Sequence, residues 1–387
     1  MKKIGAILLA VMLLVSFAGC GNKEETKKKV KKETAILDKY DLATYMIPYW
    51  EGDTVYHESV MLLENEDGSL PDVSLLYPAK EIICVRSSDL KTVYEEGTDY
   101  QLVDGKLHIP AGSKLPTVTH DFYYPAEESD TAMALNKNYG EGYIFFSEGS
   151  VMHSMQIAIT YTHEAAFEGE IPAYKGDRLP KTNAKLANGE DLKICVYGDS
   201  ISTGANSTAK VTAQPFAATW FQMVVDQLKI QYPDSNIFLK NPSVGGKKSD
   251  WGVEEALGRA GYGPDLCIIG FGMNDGSAKV DPQVFQQNIV AIMDTVRIGN
   301  PDCEFVLIAT MMPNGEVGNF LGKQAEYLPV LLELEAEGVV VMDMTTYHQS
   351  LLTNKRYFDM SGNNVNHPND FLARAYAHLL WQTVIGY

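Results

Sequence analysis

The chain has 387 residues, 45% of them hydrophobic and 21% charged, a balance that supports a folded core and excludes a disordered or fibrous polymer. At roughly 150 residues per domain, this length suggests about two or three units. Fifty acidic side chains against 32 basic ones leave a net charge of −18, which repels polyanions and sets nucleic acid aside as a partner.

Lys2 and Lys3 precede an apolar run from Ile4 to Phe17, and the small residues Ala18 and Gly19 stand directly before Cys20. This is the layout of a secretion signal, and the run is shorter than the ~20 residues that span a bilayer. Phe17-Ala18-Gly19-Cys20 resembles a bacterial lipobox, which implies cleavage before Cys20, lipidation of its thiol and anchoring outside the cytoplasm. Ordinary signal cleavage with an incidental cysteine is the alternative. Residues 1–19 are therefore expected to be a lipoprotein signal peptide. Residues 20–36, with Lys27, Lys28, Lys29, Lys31 and Lys32 and no apolar period, are expected to be a solvated tether whose lysines suit anionic headgroups.

From about residue 37 to 180, turn residues break the chain into short runs rich in Val, Ile, Tyr, Phe and Thr. Val55–Leu63, Glu81–Arg86, Gly140–Phe146 and Met155–Thr162 read as strands, and their spacing favours an all-β, jelly-roll-like sandwich. The tyrosines of this half, such as Tyr45, Tyr49, Tyr123 and Tyr139, are assigned to its core rather than to a sugar-binding face.

Glu170 to Asp191, with Pro172 and Pro180, reads as a linker. After it, apolar strands alternate with helical segments over residues 190–387: Leu192–Tyr197, Ile237–Leu239, Leu266–Phe271, Phe305–Ala309 and Val339–Met342. Phe216, Trp220, Val224 and Leu228 fall four apart on one helical stripe, and a last helix is expected over about Asp370–Val384. The pattern predicts an α/β domain with a doubly wound, parallel five-stranded sheet. In such sheets the chemistry gathers beyond the C-terminal strand ends.

Those loops carry a set of residues that is bland singly and informative together. The first strand runs into Gly198-Asp199-Ser200, the second into Asn241-Pro242-Ser243-Val244-Gly245-Gly246, the third into Gly272-Met273-Asn274-Asp275, and Asn366-His367-Pro368 stands before the last helix. A serine at the first turn presents its hydroxyl, and its own N–H, at the sheet edge. Glycine lets the second loop approach a ligand closely. Asn274 adds an amide donor, and His367 an imidazole.

In order and placement, this set resembles the SGNH (GDSL) hydrolase superfamily, whose naming residues map onto Ser200, Gly246, Asn274 and His367 over roughly the second half of the chain. The resemblance implies a serine ester hydrolase with Ser200 as nucleophile and His367 as general base and then acid. It implies an oxyanion hole from the N–H groups of Ser200 and Gly246 and the Asn274 amide. Members of the superfamily usually carry an aspartate three residues before the histidine, and here that position is Asn364. A neutral amide orients an imidazole without stabilising its protonated form. The support of His367 is therefore assigned to Asn364 or, in reserve, Asp359, with Asp343 and Asp370 as further carboxylates nearby in sequence. Carbohydrate esterases of family two are similar in joining a β-sandwich to such a domain, and some work with a Ser-His dyad, the arrangement expected here.

No cofactor is called for. His153, His163, His348 and His378 show no metal spacing, and Cys84, Cys195, Cys267 and Cys303 form no disulfide framework and read mainly as buried small hydrophobes, with a Cys195–Cys267 bridge as an open alternative. The expected function is removal of short acyl groups, acetyl above all, from carbohydrate outside the cytoplasm, with the membrane reached through Cys20. A lipid- or thioester-cleaving hydrolase and a glycan-binding surface lipoprotein with a degraded site are the alternatives.

Overall fold

The computed structural model describes residues 38–387. The expected signal peptide, tether and lipidated Cys20 lie outside the described residues. Among the described residues fourteen strands are present, and they separate into two architectures along the chain.

In the first part, β1 (Thr54–Leu63), β2 (Ala79–Ser87), β3 (Val93–Tyr94), β6 (Thr117–Val118) and β9 (Gln156–His163) form one sheet in the order β3-β2-β9-β1-β6. All neighbours in it are antiparallel except β1 and β6. Two hairpin sheets accompany it, β4 (Gln101–Val103) with β5 (Lys106–His108), and β7 (Ala132–Ala134) with β8 (Tyr143–Phe145). Tyr45, Tyr49 and Tyr123 are core residues, whereas Tyr139, at the turn between β7 and β8, is 60% exposed.

The second part is a parallel sheet of β10 (Leu192–Gly198), β11 (Ile237–Lys240), β12 (Leu266–Gly270), β13 (Glu304–Ala309) and β14 (Val339–Asp343), in the order β11-β10-β12-β13-β14. The central strands are apolar without alternation because helices cover both faces. Edge strand β11 alternates instead, and its Phe238 is exposed. The four longest helices are α1 (Trp220–Gln231), α2 (Ser249–Arg259), α3 (Pro282–Gly299) and α4 (Asp370–Val384). Asp281 caps α3 by accepting from the Gln283 N–H, with Pro282 at the first helical position, and Asn369 caps α4 through the Leu372 N–H.

Two sequence expectations need correction. Phe216 does not belong to the helical stripe: it has φ 59°, is exposed, and precedes a helix that starts at Trp220. A left-handed residue cannot continue into an α-helix. The Glu170–Asp191 linker contains an ordered helix, Pro180–Ala187, whose first N–H groups, those of Lys181 and Thr182, donate to the two oxygens of buried Glu304 at 2.9 and 2.7 Å.

Helix α4 is buried on nearly every side because it lies between the parallel sheet and β1, and residues 38–387 form one compact unit. It is tied to the first part of the chain by polar contacts: Arg374 donates to the carbonyls of Tyr56 and Tyr45, His378 Nε2 pairs with the Tyr45 carbonyl, and the Tyr49 hydroxyl donates to the Phe371 carbonyl at 2.7 Å. Lys355 and Glu58, both fully buried, form an ion pair of 2.6 Å across the same seam. The four cysteines among the described residues are buried and free; Cys195 and Cys267 face each other on β10 and β12.

Candidate active site

Strand order dictates where the site opens. The chain leaves β10 toward β11 on one side and returns to β12 on the other, so the loops after β10 and β12 diverge and leave a crevice at their C-terminal ends. Gly198 ends β10 where a Cβ would lie 2.2 Å from the Gly270 carbonyl oxygen, so only glycine lets the two strand ends come this close. Asp199 and Ser200 follow in a turn, held by the Asp199 N–H to Gly270 O at 3.2 Å and by the Thr203 hydroxyl to Ser200 O at 2.7 Å.

Asp199 is buried and points its carboxylate inward, with Oδ1 accepting from the Ile201 N–H at 3.0 Å. Its other oxygen has no hydrogen-bond partner among the described residues. Burial, with buried Asp275 close by, pushes its carboxyl up from 3.8 to about 7. Asp275 itself accepts from the N–H and hydroxyl of Ser249, and burial raises it as well. Both aspartates brace loops beneath the site.

The second loop is tied to the first by the Val244 N–H to Gly198 O at 3.0 Å and by the Asn241 amide to Ser202 O at 2.7 Å. A Cβ on Gly245 would lie 3.5 Å from the Ser200 Cβ, and Gly246 takes φ 74° beside it. Neither the Ser200 N–H nor the Gly246 N–H donates to another group among the described residues. Asn274 sits in the short helix Met273–Ser277 after β12 and spends one amide hydrogen on the Lys247 carbonyl at 3.0 Å, which leaves its second for a ligand.

His367 is delivered by the loop before α4. Its Nε2 lies 2.8 Å from the Ser200 Oγ, and its Nδ1 lies 2.7 Å from Oδ1 of Asn206. The Asn206 amide nitrogen donates to the carbonyls of Gly149 and Gly362, both at 3.0 Å, so its oxygen must face the ring. That orientation puts the ring proton on Nδ1 and leaves Nε2 as the acceptor that a serine hydroxyl requires. Asn363 shapes the loop: its Oδ1 accepts from the N–H groups of Val365, Asn366 and His367, each at 3.0 Å. A nucleophile, a base of defined tautomer and a group of unspent donors therefore stand together, the elements of acyl transfer.

Residues 196–375, a little under half of the chain, match the GDSL-like Lipase/Acylhydrolase family. This segment is a GDSL-like acylhydrolase domain. No curated protein matches the chain. Among solved structures, a two-domain esterase active on acetylated mannans, crystallised with mannopentaose, is similar at 21% identity and a TM-score of 0.44, over 54% of this chain and 53% of its own. The chain thus matches about half the length of that esterase. An acetyl xylan esterase from Geobacillus stearothermophilus is similar at 16% identity and a TM-score of 0.39, over 50% of this chain and 95% of its own. Another acetyl xylan esterase stands at 17% identity and a TM-score of 0.39, over 50% of this chain and all of its own.

The acylhydrolase domain has the SGNH hydrolase fold, with its parallel five-stranded sheet in the C-terminal part of the chain and antiparallel sheets before it. It brings Ser200, Gly246, Asn274 and His367 to one crevice. Asn364 and Asp359 are not at the ring, which corrects the expectation that one of them supports His367. Asn364, at φ 68°, accepts from the Tyr123 hydroxyl at 3.0 Å and donates to the Phe145 carbonyl at 2.8 Å. Asp359 accepts from the Met61 N–H at 2.8 Å and from Arg356. Asp343 caps the helix Met344–Leu351 and Asp370 is held by Thr208, so neither is free to turn to the imidazole.

What sequence reading missed is Asn206, together with Glu148 from the loop after β8. Glu148 Oε2 lies 3.3 Å from His367 Nδ1, and its Oε1 accepts from the Asn363 amide at 3.0 Å. Burial raises this carboxyl, but the hydrogen bond and charge of His367 and the amides of Asn363 and Asn206 outweigh it, so the net shift is downward. Neither residue carries a signal in the sequence: Asn206 lies in the loop after Ser200 among other small polar residues, and Glu148 lies far from the motif in a turn-rich stretch. His348 and His378 are wholly buried and pushed down to about 3 by desolvation, which suits packing roles. Phe271, Met273 and Met311 belong to the core.

Proposed function

We propose that this chain is a serine esterase that removes short acyl groups, acetyl above all, from carbohydrate outside the cytoplasm, where a lipid on Cys20 holds it to the membrane. The observation that carries the reading is the 2.8 Å contact between Ser200 Oγ and an imidazole whose far nitrogen is locked by Asn206. In the mechanism Nε2 takes the Ser200 proton as Oγ attacks the ester carbon. The N–H groups of Ser200 and Gly246 and the Asn274 amide receive the oxyanion. The imidazolium then gives its proton to the departing sugar oxygen, which leaves as a hydroxyl, and water repeats the sequence on the acyl-enzyme.

A small neighbour supports a short acyl group: a Cβ on Gly245 would lie 3.5 Å from the Ser200 Cβ, so the second loop passes close to the hydroxyl. The export pattern at Lys2 to Cys20 supports the location, and exposed Tyr139, whose hydroxyl lies near Gly315, supplies an aromatic surface for sugar on the loop linked through Asn314 to Val365.

The test is acetate release from acetylated mannan, acetylated xylan and a series of aryl esters by residues 38–387, with Ser200→Ala alongside. Release that vanishes in the variant at an unchanged thermal midpoint is expected. Cleavage retained in Ser200→Ala overturns the mechanism. Faster cleavage of long-chain than of short-chain esters overturns the substrate class.

A further inference from the structure

We propose that Glu148, supplied by the antiparallel part of the chain, is the positioning residue that gives His367 the negative charge its own loop lacks. The inference rests on the esterase reading of Ser200 and His367. Position 364, where a carboxylate is usual in this superfamily, holds a neutral amide turned toward Tyr123 and Phe145, and the nearest ring partner, Asn206, is neutral as well. An amide sets a tautomer, but a carboxylate is what stabilises the imidazolium formed as the serine proton moves. The 3.3 Å approach of Glu148 Oε2 to Nδ1 supplies that charge from the opposite side of the seam.

The placement of Glu148 is built. Asn363 holds its Oε1, and the next residue, Gly149, accepts from the amide of Asn206, so the two groups facing Nδ1 are fastened to one another. The loop is pinned before it by Phe145 O, which accepts from Asn364, and is followed by the helix Val151–Ser154. Asn364 therefore anchors the strand that presents the carboxylate, instead of being the carboxylate itself.

The other charged groups around the ring are engaged elsewhere. Asp199, next to Ser200, faces inward to the Ile201 N–H and Asp275. Asp370, on α4, is held by the N–H and hydroxyl of Thr208, with His153 as the imidazole nearest it in charge, and His153 itself pairs with the Gln214 carbonyl. Asp359 is taken by Met61 and Arg356, and the Lys247 ammonium lies 5.5 Å over the Trp251 ring. Glu148 is the carboxylate that reaches His367.

Its side chain is 54% exposed, so water screens the pair. The effect is therefore smaller than the ten-thousandfold loss that follows neutralising the buried aspartate of a serine protease, and a roughly tenfold to fiftyfold loss is expected. The experiment compares wild type with Glu148→Gln, which keeps the acceptor for Asn363 and removes only the charge. kcat and KM for a short aryl acetate are measured between about pH 5 and 9, where an imidazole base titrates. The expected result is a lower kcat at unchanged KM and thermal midpoint, with the acid limb of kcat/KM displaced to lower pH. A wild-type profile overturns the proposal, as does an equal loss at every pH accompanied by a lowered midpoint. The ring-proton resonance of His367, identified by its loss in His367→Gln, is followed over the same range without substrate. A titration curve displaced to lower pH in Glu148→Gln supports the proposal even where ester cleavage survives Ser200→Ala and the esterase reading has failed, and superimposable curves overturn it even where that reading stands.

Discussion

Asn206 Oδ1 lies 2.7 Å from His367 Nδ1, and the same amide donates through its nitrogen to the carbonyls of Gly149, in the loop after β8, and Gly362, in the loop before α4. One side chain thus sets the tautomer of the base and clamps the two loops that frame it. Gly362 is suited to this: a Cβ there would fall 2.4 Å from the Asn206 Cβ.

Asn206→Ala releases the ring. With Nδ1 no longer held, both tautomers populate and the imidazole rotates, although Glu148 still draws the Nδ1 proton. The expected result is a loss of about thirtyfold in kcat for a short aryl acetate, with KM near wild type. A loss below about twofold, measured at a temperature where both proteins are folded, shows that the tautomer is set elsewhere.

Asn364→Ala separates anchoring from catalysis. The substitution leaves a buried Tyr123 hydroxyl and the Phe145 carbonyl without partners, at about 1–3 kcal/mol for each lost contact. It also places alanine at φ 68°, which costs about 1–2 kcal/mol more. Urea unfolding is expected to show a stability loss of about 3 kcal/mol or more, with kcat of the folded protein within about threefold of wild type. A hundredfold fall in kcat at unchanged stability contradicts this assignment.

Asp199 makes stability depend on pH in an unusual direction. Its carboxyl is pushed from 3.8 to about 7, chiefly by burial, so the folded protein binds the proton more tightly than the unfolded chain. Stability from this group is complete below the unfolded value and is lost as pH rises through the window between 3.8 and about 7. Asp199→Asn mimics the neutral form. Denaturant unfolding of the two proteins is expected to show the variant gaining on wild type, by on the order of a few kcal/mol, between about pH 4 and 8. A difference independent of pH contradicts the protonated carboxyl.

Much of the acylhydrolase domain was legible because its signals are local. Strands β10, β12, β13 and β14 are continuous apolar runs, and continuous runs alternating with helices mean a parallel sheet covered on both faces. From that sheet it follows that Ser200, Gly246 and Asn274 end up beyond neighbouring strand ends, because each stands just after its strand. Phe216 was misread because spacing of four says nothing about a residue's φ. The helix Pro180–Ala187 was missed because its first turn is satisfied by Glu304, more than a hundred residues away.

The amino-acid sequence by itself determined the fold of the C-terminal half and the placement of Ser200, Gly246 and Asn274 after their strands and of His367 before the last helix, since these follow from short-range pattern and the order of strands. It also showed that position 364 lacks a carboxylate. What takes the place of that carboxylate was decided by tertiary structure alone. Asn206 and Glu148 reach His367 only because Asn363, Asn364 and Gly362 fasten three loops together, and contacts across 161 and 219 positions leave no period or motif for a sequence to display.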